Sequence, residues 1–96
     1  MKQLPANLTK KGETPVFTEE TLPEPLRNWH QTGTGTWAEI VVSKGIVHYE
    51  ILTDPPETVE LSPNRKGIIE PEQPHRVQLT TGSEMQVVFY DSESAS

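Results

Sequence analysis

Along "TWAEIVVSK", Thr36 to Lys44, apolar and polar positions alternate with a period of two, and the same alternation returns in "GIVHYEILT" (45–53), "HRVQLTT" (75–81) and "EMQVVFYD" (84–91). Period-two runs rich in β-branched and aromatic residues predict half-buried strands. Lys44-Gly45 and "TGSE" (81–84) are turn signals, so the four runs read as two β-hairpins. "ETVEL" (57–61) and "GIIEP" (67–71) add two short strands around the turn "SPNRKG". The first 28 residues carry Pro5, Pro15, Pro23 and Pro25, which leave room for an edge strand at "TPVFT" but hardly for a helix. They read otherwise as an arm and a loop. No stretch keeps a 3.6 period for more than about two turns, so the predicted class is all-β, a small sandwich or barrel of six to eight short strands.

Alternation also assigns faces. His75, Val77 and Leu79 share the inner face of their strand, Met85, Val87 and Phe89 that of the next. Ala38, Ile40 and Val42 point inward in the first run, and Val47, Tyr49 and Ile51 in the second. The same parity sends His48 outward with Glu50, so His48 is left out of any site. His75 is different: an inward imidazole needs hydrogen-bond partners within the core or a bound species.

The 96 residues include nine prolines and only 32% hydrophobic residues, a composition that would suggest disorder if the apolar residues were not gathered into runs. They predict one domain, 14–91, with an N-terminal arm at 1–13 and a disordered tail at 92–96. A chain this short buries roughly 60–65% of its unfolded surface, which leaves modest stability and permits a homodimer. The net charge of −6 argues against nucleic acid, whose non-specific binding rests on Lys and Arg. Cysteine is absent, which excludes disulfides and thiolate chemistry and suits a reducing compartment. "MKQLPANLTKKGE" has no apolar signal region, and no apolar run reaches membrane-spanning length, so a cytoplasmic location without membrane contact is expected. "GTG" at 33–35 precedes a strand and is no dinucleotide fingerprint, which must open a helix. Glu57, Glu60, Glu70 and Glu72 fall in turns and edges and are given no catalytic role.

Two segments, "WHQTGTGTWAEIVVSKGIVHYEI" and "IIEPEQPHRVQ", together with the lead-in "PVFTEETLPEPL", carry a family pattern: a histidine before GTW, a strand ending in Gly, and an EP segment leading to His-Arg-Val. In these blocks the chain resembles the small cupin-like proteins related to tellurite resistance, a family that includes the N-terminal domain of the tellurite-resistance methyltransferase TehB and short stand-alone relatives. The resemblance implies a single cupin-like β-barrel, or jelly roll. It also implies a metal site: His30 matches the first histidine of the first cupin motif and His75 the histidine of the second. Thr32 stands where a typical cupin has its other histidine, and Ala38 where it has a glutamate, so half of the ligand set is missing. His30 and His75 are therefore the candidate ligands of a divalent metal such as zinc, nickel or iron, with water, a carboxylate or a ligand from a second molecule completing the shell. Core histidines bonded to water and backbone are the alternative.

Thr32 and Trp37 are candidate ligand-binding residues at the mouth of the same site. For Trp37 core packing is the commoner outcome. The expected function is binding of a metal ion or small molecule, in a tellurite, metalloid or oxidative stress setting. Alternatives are a metal-dependent enzyme of the dioxygenase or isomerase kind, which the two missing ligands oppose, and a regulatory or structural interaction module. Methyl transfer is not expected of these 96 residues, which hold no glycine-rich cofactor loop.

Overall fold

Residues 1–92, those described in the computed structural model, form eight strands and one helical turn. In chain order these are β1 (Leu8–Glu13), β2 (Phe17–Thr18), α1 (Glu24–Arg27), β3 (Thr36–Lys44), β4 (Val47–Ile51), β5 (Glu57–Leu61), β6 (Gly67–Ile69), β7 (His75–Leu79) and β8 (Glu84–Ser92). The chain is all-β. Its strands divide between a larger sheet ordered β1-β8-β3-β6, with β2 also on β8, and a smaller sheet ordered β5-β4-β7. All the strand pairs are antiparallel. A closed barrel does not form, because the hydrogen-bonded ladders stop at the edges of these two sheets.

The two predicted hairpins are not there either. β3 pairs with β8 and β6, whereas β4, which follows it at once, pairs with β5 and β7. β7 and β8 are likewise consecutive and belong to different sheets. At Gly45 (φ 76°) and Gly82 (φ 80°) the backbone enters the left-handed region that glycine adopts without a Cβ penalty, and there the chain crosses to the facing sheet. The two corners touch: a Cβ on Gly45 would lie 3.0 Å from the Cα of Ser83, a fully buried residue whose hydroxyl donates to the Thr80 carbonyl at 2.7 Å. Corner turns and hairpin turns use the same residues, so the Gly signals located the turns but not the partners.

Face parity is unaffected by this change of partner. Ala38, Ile40, Val42, Val47, Tyr49, Ile51, Val77, Leu79, Met85 and Val87 are all buried and belong to one core between the sheets, with Phe89 packed against it. Side chains from the two inner faces meet there as in other sandwiches. Tyr49 ties the layers together by a polar contact as well, its hydroxyl donating to the Ile68 carbonyl at 2.8 Å. Burial of the ring raises the phenol's pKa above its ordinary value, so it stays a donor. Tyr49→Phe leaves that carbonyl without its donor and is expected to lower stability by about 1–2 kcal/mol in urea melts. An unchanged midpoint would mean that water replaces the bond at no cost.

The N-terminal third departs further from expectation. The predicted arm at 1–13 contains β1, which pairs with residues 88–92 of β8 through a register shift between Lys10 and Gly12. "LTKKGE" shows no apolar alternation, since it is mostly exposed and joins the sheet through its backbone. Prolines also permit the single turn of α1: Pro25 lies in its first turn, where the missing N–H is one the helix would leave unpaired anyway. Of the predicted tail, Ser92 closes β8 opposite Leu8, and 93–96 lie outside the described residues. Among the described residues no helix is long and apolar enough to cross a membrane.

Candidate functional site

α1 ends at Asn28, whose extended backbone (φ −116°, ψ 167°) releases the chain toward the open edge of β7. There His30 and His75 form an isolated antiparallel bridge, with His30 N–H donating to the His75 carbonyl at 3.1 Å and His75 N–H to that of His30 at 2.9 Å. The bridge puts the two side chains next to each other. Their ring centroids are 4.2 Å apart with the planes tilted by 59°. Outside the bridge, the Arg76 guanidinium lies 4.3 Å over the ring of Trp29 and is itself held by Glu50, Nε to Oε1 at 2.9 Å and Nη2 to Oε2 at 3.3 Å. That stack fixes the residue preceding His30 and thereby the approach of the imidazole.

Each ring is oriented by a backbone carbonyl two residues earlier. His30 Nδ1 lies 2.9 Å from the Asn28 oxygen and His75 Nδ1 2.7 Å from the Gln73 oxygen. A carbonyl only accepts, so Nδ1 carries the proton in both rings, and in each neutral imidazole Nε2 keeps its lone pair. His75 is 1% exposed, and the edge of Tyr49 lies against it at 5.9 Å between centroids. Burial lowers its pKa to about 4, His30 nearby pushes the same way, and the Gln73 carbonyl opposes both by favouring the protonated ring. His75 is therefore neutral at physiological pH.

The pair borders a cavity of about 340 Å³ between the sheets. Ile40, Ile69, Met85, Val87 and Phe89 of the larger sheet face His75 and Val77 of the smaller one across it, while Phe17, Pro23, Pro25 and Leu26 close the side. Thr14, Gln31 and Thr32 are the other polar residues of the lining. Thr32 Oγ1 donates to the Thr36 carbonyl at 2.8 Å, with the Glu70 carbonyl at 3.3 Å, which joins the loop to the sheet. A second cleft of about 480 Å³ lies along the open edge of β7, but its two arginines are engaged, Arg76 by Glu50 and Arg27 by the Glu19 carbonyl.

The structure thus brings together His30, His75 and Thr32 of the sequence candidates. Trp37 is elsewhere. It occupies the outer face of β3 opposite Tyr90, half-buried, and neither packs in the core nor lines the cavity. Its parity with Glu39 and Val41 already determined this, whereas nearness in sequence to His30 suggested a common site. His48 points outward between Glu60 and Gln78, as its parity required. The wall supplied by α1 was missed, and the signal for it was the apolar pair Leu22 and Leu26 inside the proline-rich segment.

A metal finds few donors here. Among the described residues no group of three or more His, Cys, Asp or Glu side chains is placed to hold an ion. Two imidazoles make half of a tetrahedral shell, and Ala38, fully buried, has no donor to offer.

Residues 12–87 match the model of the TehB-like domain family. A probable S-adenosyl-L-methionine-dependent methyltransferase TehB of Haemophilus influenzae is 31% identical over 83 residues, which are 81% of this chain but 29% of that protein. The chain therefore spans under a third of the curated relatives it matches. The crystal structure of TehB from H. influenzae superposes with a TM-score of 0.81 at 28% identity, covering 91% of this chain and 32% of the other. A crystal structure of an E. coli protein gives a TM-score of 0.86 at 21% identity, covers 96% of this chain and 98% of its own, and supports the fold. By its family match and by these relatives, the chain belongs to the TehB-like domain family.

Proposed function

We propose that this chain is a small-molecule-binding domain, cupin-like in holding its site between two antiparallel sheets, and that it serves in tellurite, metalloid or oxidative stress resistance. One observation carries the reading: a half-open, mostly apolar cavity between the sheets is lined by two neighbouring imidazoles whose Nδ1 protons are committed to backbone carbonyls and whose Nε2 atoms are free to bind. An apolar lining with a few convergent polar atoms is the ordinary make-up of a ligand site. The function is binding.

A screen of small organic fragments by ¹H–¹⁵N NMR tests this. Hits should shift Ile40, Val77 and Val87 first, because these line the cavity from both sheets. No hits, or hits scattered over the outer faces, would remove the reading.

A divalent metal is the second reading, favoured by the same Nδ1 bonds, since a carbonyl-held imidazole is how proteins orient metal-binding histidines. Zinc, nickel or iron would take two nitrogens from His30 and His75 and its other ligands from solvent or from a bound molecule. The expected outcome in a chelator competition is weak retention that His30→Ala and His75→Ala each abolish. Retention should also weaken as the pH is lowered, because a protonated imidazole has no lone pair to give a metal. Equal retention by parent and variants would exclude the site.

A further inference from the structure

Given the reading of this cavity as a ligand site, on which the inference rests, we propose that its ligand is a neutral, largely apolar molecule carrying a hydroxyl group that donates a hydrogen bond to the His30–His75 pair. The polar inventory of the lining leads there. Among the described residues no Lys, Arg, Asp or Glu lines the cavity. The Thr14 hydroxyl donates to the Pro15 carbonyl at 2.9 Å and that of Thr32 to Thr36 at 2.8 Å, so neither proton is available. Both imidazole N–H groups are likewise used on carbonyls. What remains inside is two lone pairs, on His30 Nε2 and His75 Nε2, while the uncommitted amide of Gln31 belongs to an exposed residue at the rim.

Acceptors without a donor select sharply. A carboxylate or phosphate would bring only acceptors to this wall and would lose its hydration against Ile40, Met85 and Val87 with no cation to replace it. An ammonium would find acceptors but no counter-charge, and burying it unpaired is costly. A neutral hydroxyl meets both conditions, as its proton satisfies a nitrogen and its carbon frame fills the apolar space. Among the described residues no buried side-chain nitrogen or oxygen lacks a partner, so His75 Nε2 is open to the cavity, where a hydroxyl can reach it. At about 340 Å³ the cavity is at the small end of ordinary ligand sites, which suits a phenol or a short branched alcohol.

Three probes of nearly the same shape test the inference: p-cresol, its methyl ether 4-methylanisole, and 4-methylbenzoate, titrated at neutral pH by NMR with the whole chain. p-Cresol should bind about tenfold tighter than the ether, the value of one buried hydrogen bond, and 4-methylbenzoate weakest of the three. His30→Leu, at a half-buried position that tolerates change, and His75→Leu should each narrow the gap between p-cresol and the ether while keeping ether binding, with the fold checked by circular dichroism. Equal affinity for p-cresol and its ether, or tightest binding of the benzoate, would overturn the inference and leave the ligand-site reading in place. Failure of all three to bind would take that reading down with it.

Discussion

Between pH 7 and pH 4.5 the chain should lose about 2 kcal/mol of unfolding free energy through His75 alone, and a His75→Gln variant should lack that part of the loss. The sign follows from which state takes the proton. In the folded chain His75 has a pKa of about 4, against 6.5 when unfolded, so between these values the unfolded state binds more protons. Stability is fully present above 6.5 and falls as pH drops toward 4, below which His75 contributes no further change. The groups packed on the ring are in keeping with the effect: His30 is a second imidazole at 4.2 Å, Tyr49 keeps its proton, and the described residues of the cavity lining include no carboxylate to stabilise an imidazolium. Carboxylates elsewhere titrate in both proteins and cancel in the comparison. Urea melts of parent and variant at pH 7, 5.5 and 4.5 measure the difference, and parallel acid slopes would show that His75 titrates near its unfolded value.

Face assignment was legible in the sequence because it depends on a local rule. A pleated strand turns every second residue inward whatever its neighbour is, so Tyr49, Val77 and Met85 were identified without knowing what they pair with. Pairing is a non-local property. β3 and β4 are joined by Lys44-Gly45 as hairpin strands are, and only the backbone at Gly45, together with its contact on Ser83, directs β4 into the opposite sheet. β1 was invisible for a related reason: its side chains bury little, and what places it is the unpaired edge of β8, 80 residues away in the chain.

The site was legible in the same uneven way. Parity turned His75 inward, but nothing local in "NWHQT" brings His30 to it across 45 residues, and that pairing came from the family pattern. The rings' bonds to the Asn28 and Gln73 carbonyls, which decide that Nε2 is the free nitrogen, depend on backbone geometry that composition does not encode. Trp37 shows the opposite error. Strand parity places it outside with Glu39 and Val41, and neither nearness in sequence to His30 nor the usual burial of tryptophan alters that.

Core packing supplies the other large effect, at Gly67. This glycine pairs with Ile40 in the larger sheet and has no positive φ, so its backbone would accept alanine. Space forbids it. A Cβ there would stand 2.7 Å from Leu61 Cδ1, 3.2 Å from Ile40 Cδ1 and 3.3 Å from Tyr49 Cδ2, and all three neighbours are 0–1% exposed. They have little room to withdraw, so Gly67→Ala is expected to cost about 1–3 kcal/mol. Leu61→Ala removes the nearest obstacle and leaves a void in the core, at about 2–5 kcal/mol. In the double variant the new methyl enters the space that Leu61 vacated, which relieves the clash and fills part of the void together. The double variant should therefore be less destabilised than the sum of the single ones by about 1–2 kcal/mol. Equilibrium urea denaturation of the four proteins measures this coupling, and additivity to within about 0.5 kcal/mol would mean that Leu61 is not what excludes a side chain at Gly67.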